Sequence, residues 1–186
     1  MALNATILKV DLSLADTDRH HYADHSLTIA HHPSETAERV MIRLLAYAMY
    51  AGEQPSFGRG LSSDDEPDLV CTDLTGAIQR WIMVGLPDER LVRRASGRAT
   101  RVALIAYGGS RCDQWWRRHG ADLARLSNLD LHQVITAESN ALAGLVARTM
   151  RLSVTVQDGE YLFSSADQVV RVTPRLMSRD RPDDPA

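Results

Sequence analysis

A chain of 186 residues, 44% of them hydrophobic, is long enough to bury a proper core, and it has no apolar run of the ~20 residues that a membrane span requires. A net charge of −3 excludes a chain that grips polyanions along its whole length, so any nucleic-acid contact has to be local. Cys71 and Cys112 lack metal-type spacing and the amino terminus lacks a basic stretch followed by an apolar block, which predicts a reduced, cytoplasmic protein that is not in a membrane.

In chain order, Leu8, Val10, Leu12 and Leu14 alternate with polar residues, and beyond the turn ADTDRH Leu27 and Ile29 do the same. Period-two alternation on both sides of a polar turn predicts a β-hairpin. The stretch HHPSETAERVMIRLLAYAMYAG predicts a helix that starts at Pro33 or Ser34, with Val40, Met41, Leu44, Leu45 and Ala48 at helical spacing and Gly52 at its close. Two strands, about 67–72 and 78–84, flank TDLTG. Beyond Pro87, DERLVRRASGRA, RVALIAYG, CDQWWRRHGADLARL, LDLHQVIT and AESNALAGLVARTM alternate helix and strand through to a final helix. Continuous apolar strands between helices predict a buried, partly parallel sheet. The last stretch alternates around Asp158-Gly159, which predicts a C-terminal hairpin with a third strand beside it. One domain then covers 1–175, and 176–186 reads as a disordered tail.

Four motifs, IAHHPSETAERVMIRLLAYA, GRGLSSDDEPDL, WIMVGLPDERLVRRA and VQDG, together resemble the YaeQ family of small bacterial proteins, nearly end to end. The resemblance implies an α/β fold of the PD-(D/E)XK restriction-endonuclease type, a central mixed sheet flanked by helices, here with extra N- and C-terminal β-hairpins. Fold analogy does not carry activity with it.

On such a fold, carboxylates hold Mg²⁺ beside the scissile phosphate and a cation offsets the developing charge. The Pro-Asp carboxylate is present as Pro67-Asp68. The second carboxylate and the lysine belong two residues apart on the next strand, where period two aims both at one face. In IQRWIMVG that register puts Ile78, Ile82 and Val84 on one face and Gln79, Trp81, Met83 and Gly85 on the other, so the two slots hold Met83 and Gly85. The resemblance implies an acid where Met83 stands, and a thioether is no substitute ligand for a hard ion. Glu38 and Glu66 are the further candidate metal ligands beside Asp68, and Arg93 or Arg94, with Arg94 preferred, is the candidate cation standing in for the lysine. Arg93 and Arg94 are also the candidate nucleic-acid contacts, and Asp64 and Asp65 would add negative field.

Each candidate has a plainer reading. Glu38 also suits a first-turn acid favoured by the helix dipole. Arg93, Arg94, Arg98 and Arg101 also suit a solvated face paired with Asp88 and Glu89. Trp115 and Trp116 suit base stacking or core packing, and the five histidines of the first hairpin match no standard zinc spacing. The first reading is therefore a catalytically weakened or noncatalytic nucleic-acid-binding relative of the nucleases. A working Mg²⁺-dependent nuclease and a protein-interaction module without nucleic-acid contact stand beside it, and Mg²⁺ is the one cofactor the motif suggests.

Overall fold

Strict alternation of apolar and polar residues carries β1 (Thr6–Asp16) and β2 (His21–His31) through eleven residues each, with Leu8, Val10, Leu12 and Leu14 turned inward. The computed structural model describes residues 5–58 and 66–177. Asp64 and Asp65, and residues 178–186 of the expected tail, lie outside the described residues. The tail expectation also needs correcting at its near end. Leu176 belongs to a short strand, and the Met177 N–H donates to Leu131 O at 2.8 Å.

Helix α1 (Ala37–Met49) begins beyond the Pro33 or Ser34 that its sequence suggests, because Thr36 is the residue that caps it, its hydroxyl accepting the Arg39 N–H at 3.2 Å. Every residue from Val40 to Met49 is buried, Arg43 included. A helix buried all round has neighbours on more than one side. Here they are two sheets.

The first sheet has the order β10-β9-β8-β1-β2, built from β8 (Thr149–Gln157), β9 (Glu160–Ser164) and β10 (Val169–Val172) beside the first hairpin. The expected extra hairpins are thus not separate decorations: β1 pairs in parallel with β8, Lys9 opposite Thr149 through Asp16 opposite Val156. The join is reinforced at the turns. Asp18 accepts the N–H groups of Asp158 and Gly159, both at 2.8 Å, and Arg19 pairs with Asp16 and donates to Tyr161 Oη.

The second sheet has the order β11-β7-β6-β5-β4-β3, with β3 (Ser56–Phe57), β4 (Leu69–Thr72), β5 (Ile78–Val84), β6 (Arg101–Ala106), β7 (Leu129–Gln133) and β11 (Arg175–Leu176). It is mixed: β5, β6 and β7 run parallel, and β3, β4 and β11 pair antiparallel. One apolar cluster unites the inner face of the first sheet, α1, and Leu69, Ile82, Val84, Ala103 and Ile105 of the second. Helix α4 (Thr136–Ala143) joins it through Leu142 and is shorter than its sequence suggests, because its final turn closes on Gly144. A second cluster lies on the far side of the second sheet, where α2 (Glu89–Ser96) and α3 (Ser110–Leu123) bring Val92, Ala95, Cys112 and Leu123 against Trp81, Met83, Val102 and Leu104. The layers therefore run sheet, α1 with α4, sheet, α2 with α3.

Candidate functional site

Strand β5 decides what can share a site with Asp68. The ladder with β4 pairs Cys71 with Arg80 and Thr72 with Ile78, a bulge that leaves Gln79 without a partner. Ile78 is thereby switched to the side of Trp81 and Met83, and of the apolar residues only Ile82 and Val84 remain toward α1. Two expectations are corrected by this register. Ile78 does not face with Ile82, and Met83 does not approach Asp68, since its side chain is in the cluster under α2 and α3.

Asp68, one residue before β4, is buried on the α1 side, and both of its oxygens are engaged. Oδ2 accepts the Val84 N–H at 2.8 Å, and Oδ1 accepts Arg39 Nη2 at 2.5 Å. Arg39 Nη1 donates to Val84 O at 2.7 Å, while its Nε lies 3.5 Å from Glu35 Oε1. Glu35 is itself buried and takes Arg43 Nη1 at 3.1 and 3.3 Å. Arg43, with no exposed surface, also donates to Ala30 O and Gly58 O. Four charges thus alternate through the core as Arg43, Glu35, Arg39 and Asp68. Burial raises the Asp68 pKa, against the opposing pull of Arg39 and the Val84 N–H.

Three further groups border Arg39. Tyr107, just past β6, has its phenol pKa raised by burial, with Arg39 opposing and Glu38 and Asp68 adding to the rise. Gly85 adopts φ +99, so a side chain at 85 would be strained in backbone, and a Cβ there would stand in ordinary contact with Arg39 Nη1 at 3.5 Å. Glu38 belongs to the same surroundings, yet its carboxylate bonds elsewhere, accepting Ser139 Oγ of α4 at 2.6 Å. Glu66 is exposed, away from these bonds.

The candidate cations fall elsewhere. Helix α2 packs on the opposite side of the sheet, so neither Arg93 nor Arg94 reaches toward Asp68 as expected. Arg93 pairs with Glu89 at 2.5 Å and lies 3.9 Å from Asp122, and Arg94 is exposed on the same helix. The cation at Asp68 is Arg39, which the sequence reading missed. A signal was there: Glu35, Arg39 and Arg43 are spaced four apart, so one helix stripe carries three charges into an otherwise apolar run. Trp115 and Trp116 are half-buried against the second cluster, with Trp115 Nε1 donating to Pro87 O at 2.9 Å.

The family model for YaeQ protein matches residues 1–174. The chain belongs to the YaeQ family. A Salmonella typhi relative described as uncharacterized protein YaeQ is 43% identical over 89% of this chain and 92% of its own length, and its Escherichia coli K12 counterpart is 42% identical over 86% and 88%. The crystal structure of YaeQ protein from Xanthomonas axonopodis pv. citri matches with a TM-score of 0.90 at 43% identity, covering 95% of this chain and 99% of that one. YaeQ protein from Pseudomonas syringae gives 0.89 at 35% identity, over 96% and 98%. Among the described residues, no helix is long and apolar enough to cross a membrane.

Proposed function

We propose that this YaeQ chain is a noncatalytic, nuclease-derived protein that binds nucleic acid from the cytoplasm through its outer helical layer, without a metal cofactor. A mixed sheet with helices on both faces and a Pro-Asp at the start of β4 support the nuclease ancestry. The observation that carries the binding reading is the segregation of charge. Residues 88–126, which form α2, β6 and α3, hold nine arginines against four carboxylates, in a chain whose total is −3.

Arg90, Arg98, Arg111, Arg117 and Arg118 are exposed there and have no ion-pair partner among the described residues. On α3 a step of seven residues returns to nearly the same side, so Arg111 and Arg118 share one outward side of the helix. Guanidinium groups suit phosphate oxygens because their donors are paired and their charge is permanent. Affinity built this way depends steeply on salt and little on base sequence.

The test is fluorescence anisotropy with labelled single-stranded and duplex DNA and RNA across a salt series. Binding should weaken log-linearly with salt, and Arg111→Glu/Arg117→Glu/Arg118→Glu should lower affinity by at least about tenfold while reducing the salt slope by about three, one for each lost phosphate contact. No probe should be cleaved with Mg²⁺ present. Absence of binding at low salt, or binding indifferent to the triple substitution, would remove this function. Cleavage abolished by Asp68→Ala would establish a working nuclease instead.

A further inference from the structure

A hard divalent ion needs a shell of oxygens that includes at least one carboxylate free to bind it. The surroundings of Asp68 do not fit that requirement. Both Asp68 oxygens are occupied, by the Arg39 guanidinium and by the Val84 N–H. Glu38 is bonded to Ser139, and β5 turns Arg80, Ile82 and Val84 to this side, none of which carries a side-chain oxygen that could bind an ion, with Arg80 held by Glu53 and Asp130. Met83 faces away, so restoring an acid at 83 would not complete a ligand set here.

We propose that Arg39 is the resident cation of this site, a built-in counter-ion seated where a divalent ion would meet Asp68, and that it keeps the site closed to metal. The guanidinium is fixed from three directions: Asp68 on Nη2, Val84 O on Nη1 and Glu35 beside Nε. Swinging it out would leave two buried acceptors, Asp68 Oδ1 and Val84 O, without their donor, and leaving it in place sets a permanent positive charge beside any incoming ion. Gly85 sits beside the Nη1 end of the guanidinium at φ +99, a backbone conformation that a side chain would strain. The inference concerns metal only and holds whether or not the arginine layer binds nucleic acid.

Mn²⁺ binding followed by electron paramagnetic resonance on the intact chain tests it without nucleic acid. The wild type and Asp68→Asn should bind Mn²⁺ equally weakly. Arg39→Gln should gain at least about tenfold in affinity by uncovering Asp68, the gain should vanish in Arg39→Gln/Asp68→Asn, and Arg39→Lys, which keeps the charge, should gain nothing. Wild-type Mn²⁺ affinity that falls on Asp68→Asn would overturn the proposal, as would a folded Arg39→Gln that gains nothing. If Arg39→Gln does not fold, melting of the wild type in millimolar Mn²⁺ decides: an unmoved curve supports the proposal and an Asp68-dependent rise in melting temperature overturns it.

Discussion

With its carboxylate set between Arg39 and Arg43, Glu35 compensates two cations inside the core, one of them wholly sequestered from water. Glu35→Gln keeps the shape and removes the charge, which leaves Arg43 uncompensated. The expected loss is about 3–5 kcal/mol of unfolding free energy, the scale for breaking a buried pair from one side, read from urea melts. Asp68 adds a pH signature with a definite sign. Burial holds its native pKa above the unfolded value, so protonated Asp68 favours folding; that contribution is full below the unfolded value of 3.8 and is lost as pH rises through the native one. The stability of the wild type relative to Asp68→Asn should therefore fall with rising pH across the acid range, and a difference that grows instead would mean that Arg39 outweighs desolvation. At this scale the sequence was half legible. Pro67-Asp68 pointed to a carboxylate that the structure buries and pairs, because a loop residue just ahead of a strand can be found by motif. Its cation could not be found the same way, since Arg39 precedes it by 29 positions and meets it only after α1 has docked on the sheet.

Among the elements, α3 and the first hairpin make the clearest predictions. A Cβ on Gly120 would lie 2.7 Å from the Trp116 ring, so Gly120→Ala should destabilise α3 by about 1–3 kcal/mol of overpacking, enough to outweigh the better helix propensity of alanine, measurable by thermal melting. In the hairpin, the His25 imidazole meets Tyr47 Oη of α1 at 3.0 Å. Desolvation, with help from neighbouring His21, lowers the His25 pKa below its ordinary 6.5. The sign is opposite to that of Asp68: stability is full above the unfolded value and is lost as pH falls through the native one. Melts between about pH 7.5 and about pH 5.5 should show a loss that His25→Gln reduces. Most of these elements were legible from period alone, because a strand with one wet face and a helix with an apolar stripe each write their geometry into spacing. The exceptions have local causes. The bulge at Gln79 shifts a register that simple alternation carries straight through, and the helix expected over 137–150 gives way after Gly144 to the β-rich run that becomes β8.

At the scale of the whole molecule, one apolar cluster spans both sheets and α1. Heat or urea should therefore unfold the chain in a single transition, with tryptophan fluorescence and circular dichroism changing together; separated midpoints would mean that the sheets are independent units. The pairing that makes the molecule one body was the least legible part of the sequence. Strands β1 and β8 both alternate faithfully, but alternation names a face and not a partner, and a parallel partner about 140 positions away leaves no mark on either strand. That pairing also bears on how the chain leaves the ribosome. Synthesis delivers the β1–β2 hairpin and α1 before the strands that extend the hairpin into a five-stranded sheet, and the residues of β8, β9 and β10 that cover the helix emerge about 100 positions later. Until then a helix whose apolar residues are meant for burial on every side and an unpaired β1 edge face water, so a nascent or prematurely terminated chain is a natural client for chaperones and proteases, and folding is expected to be post-translational.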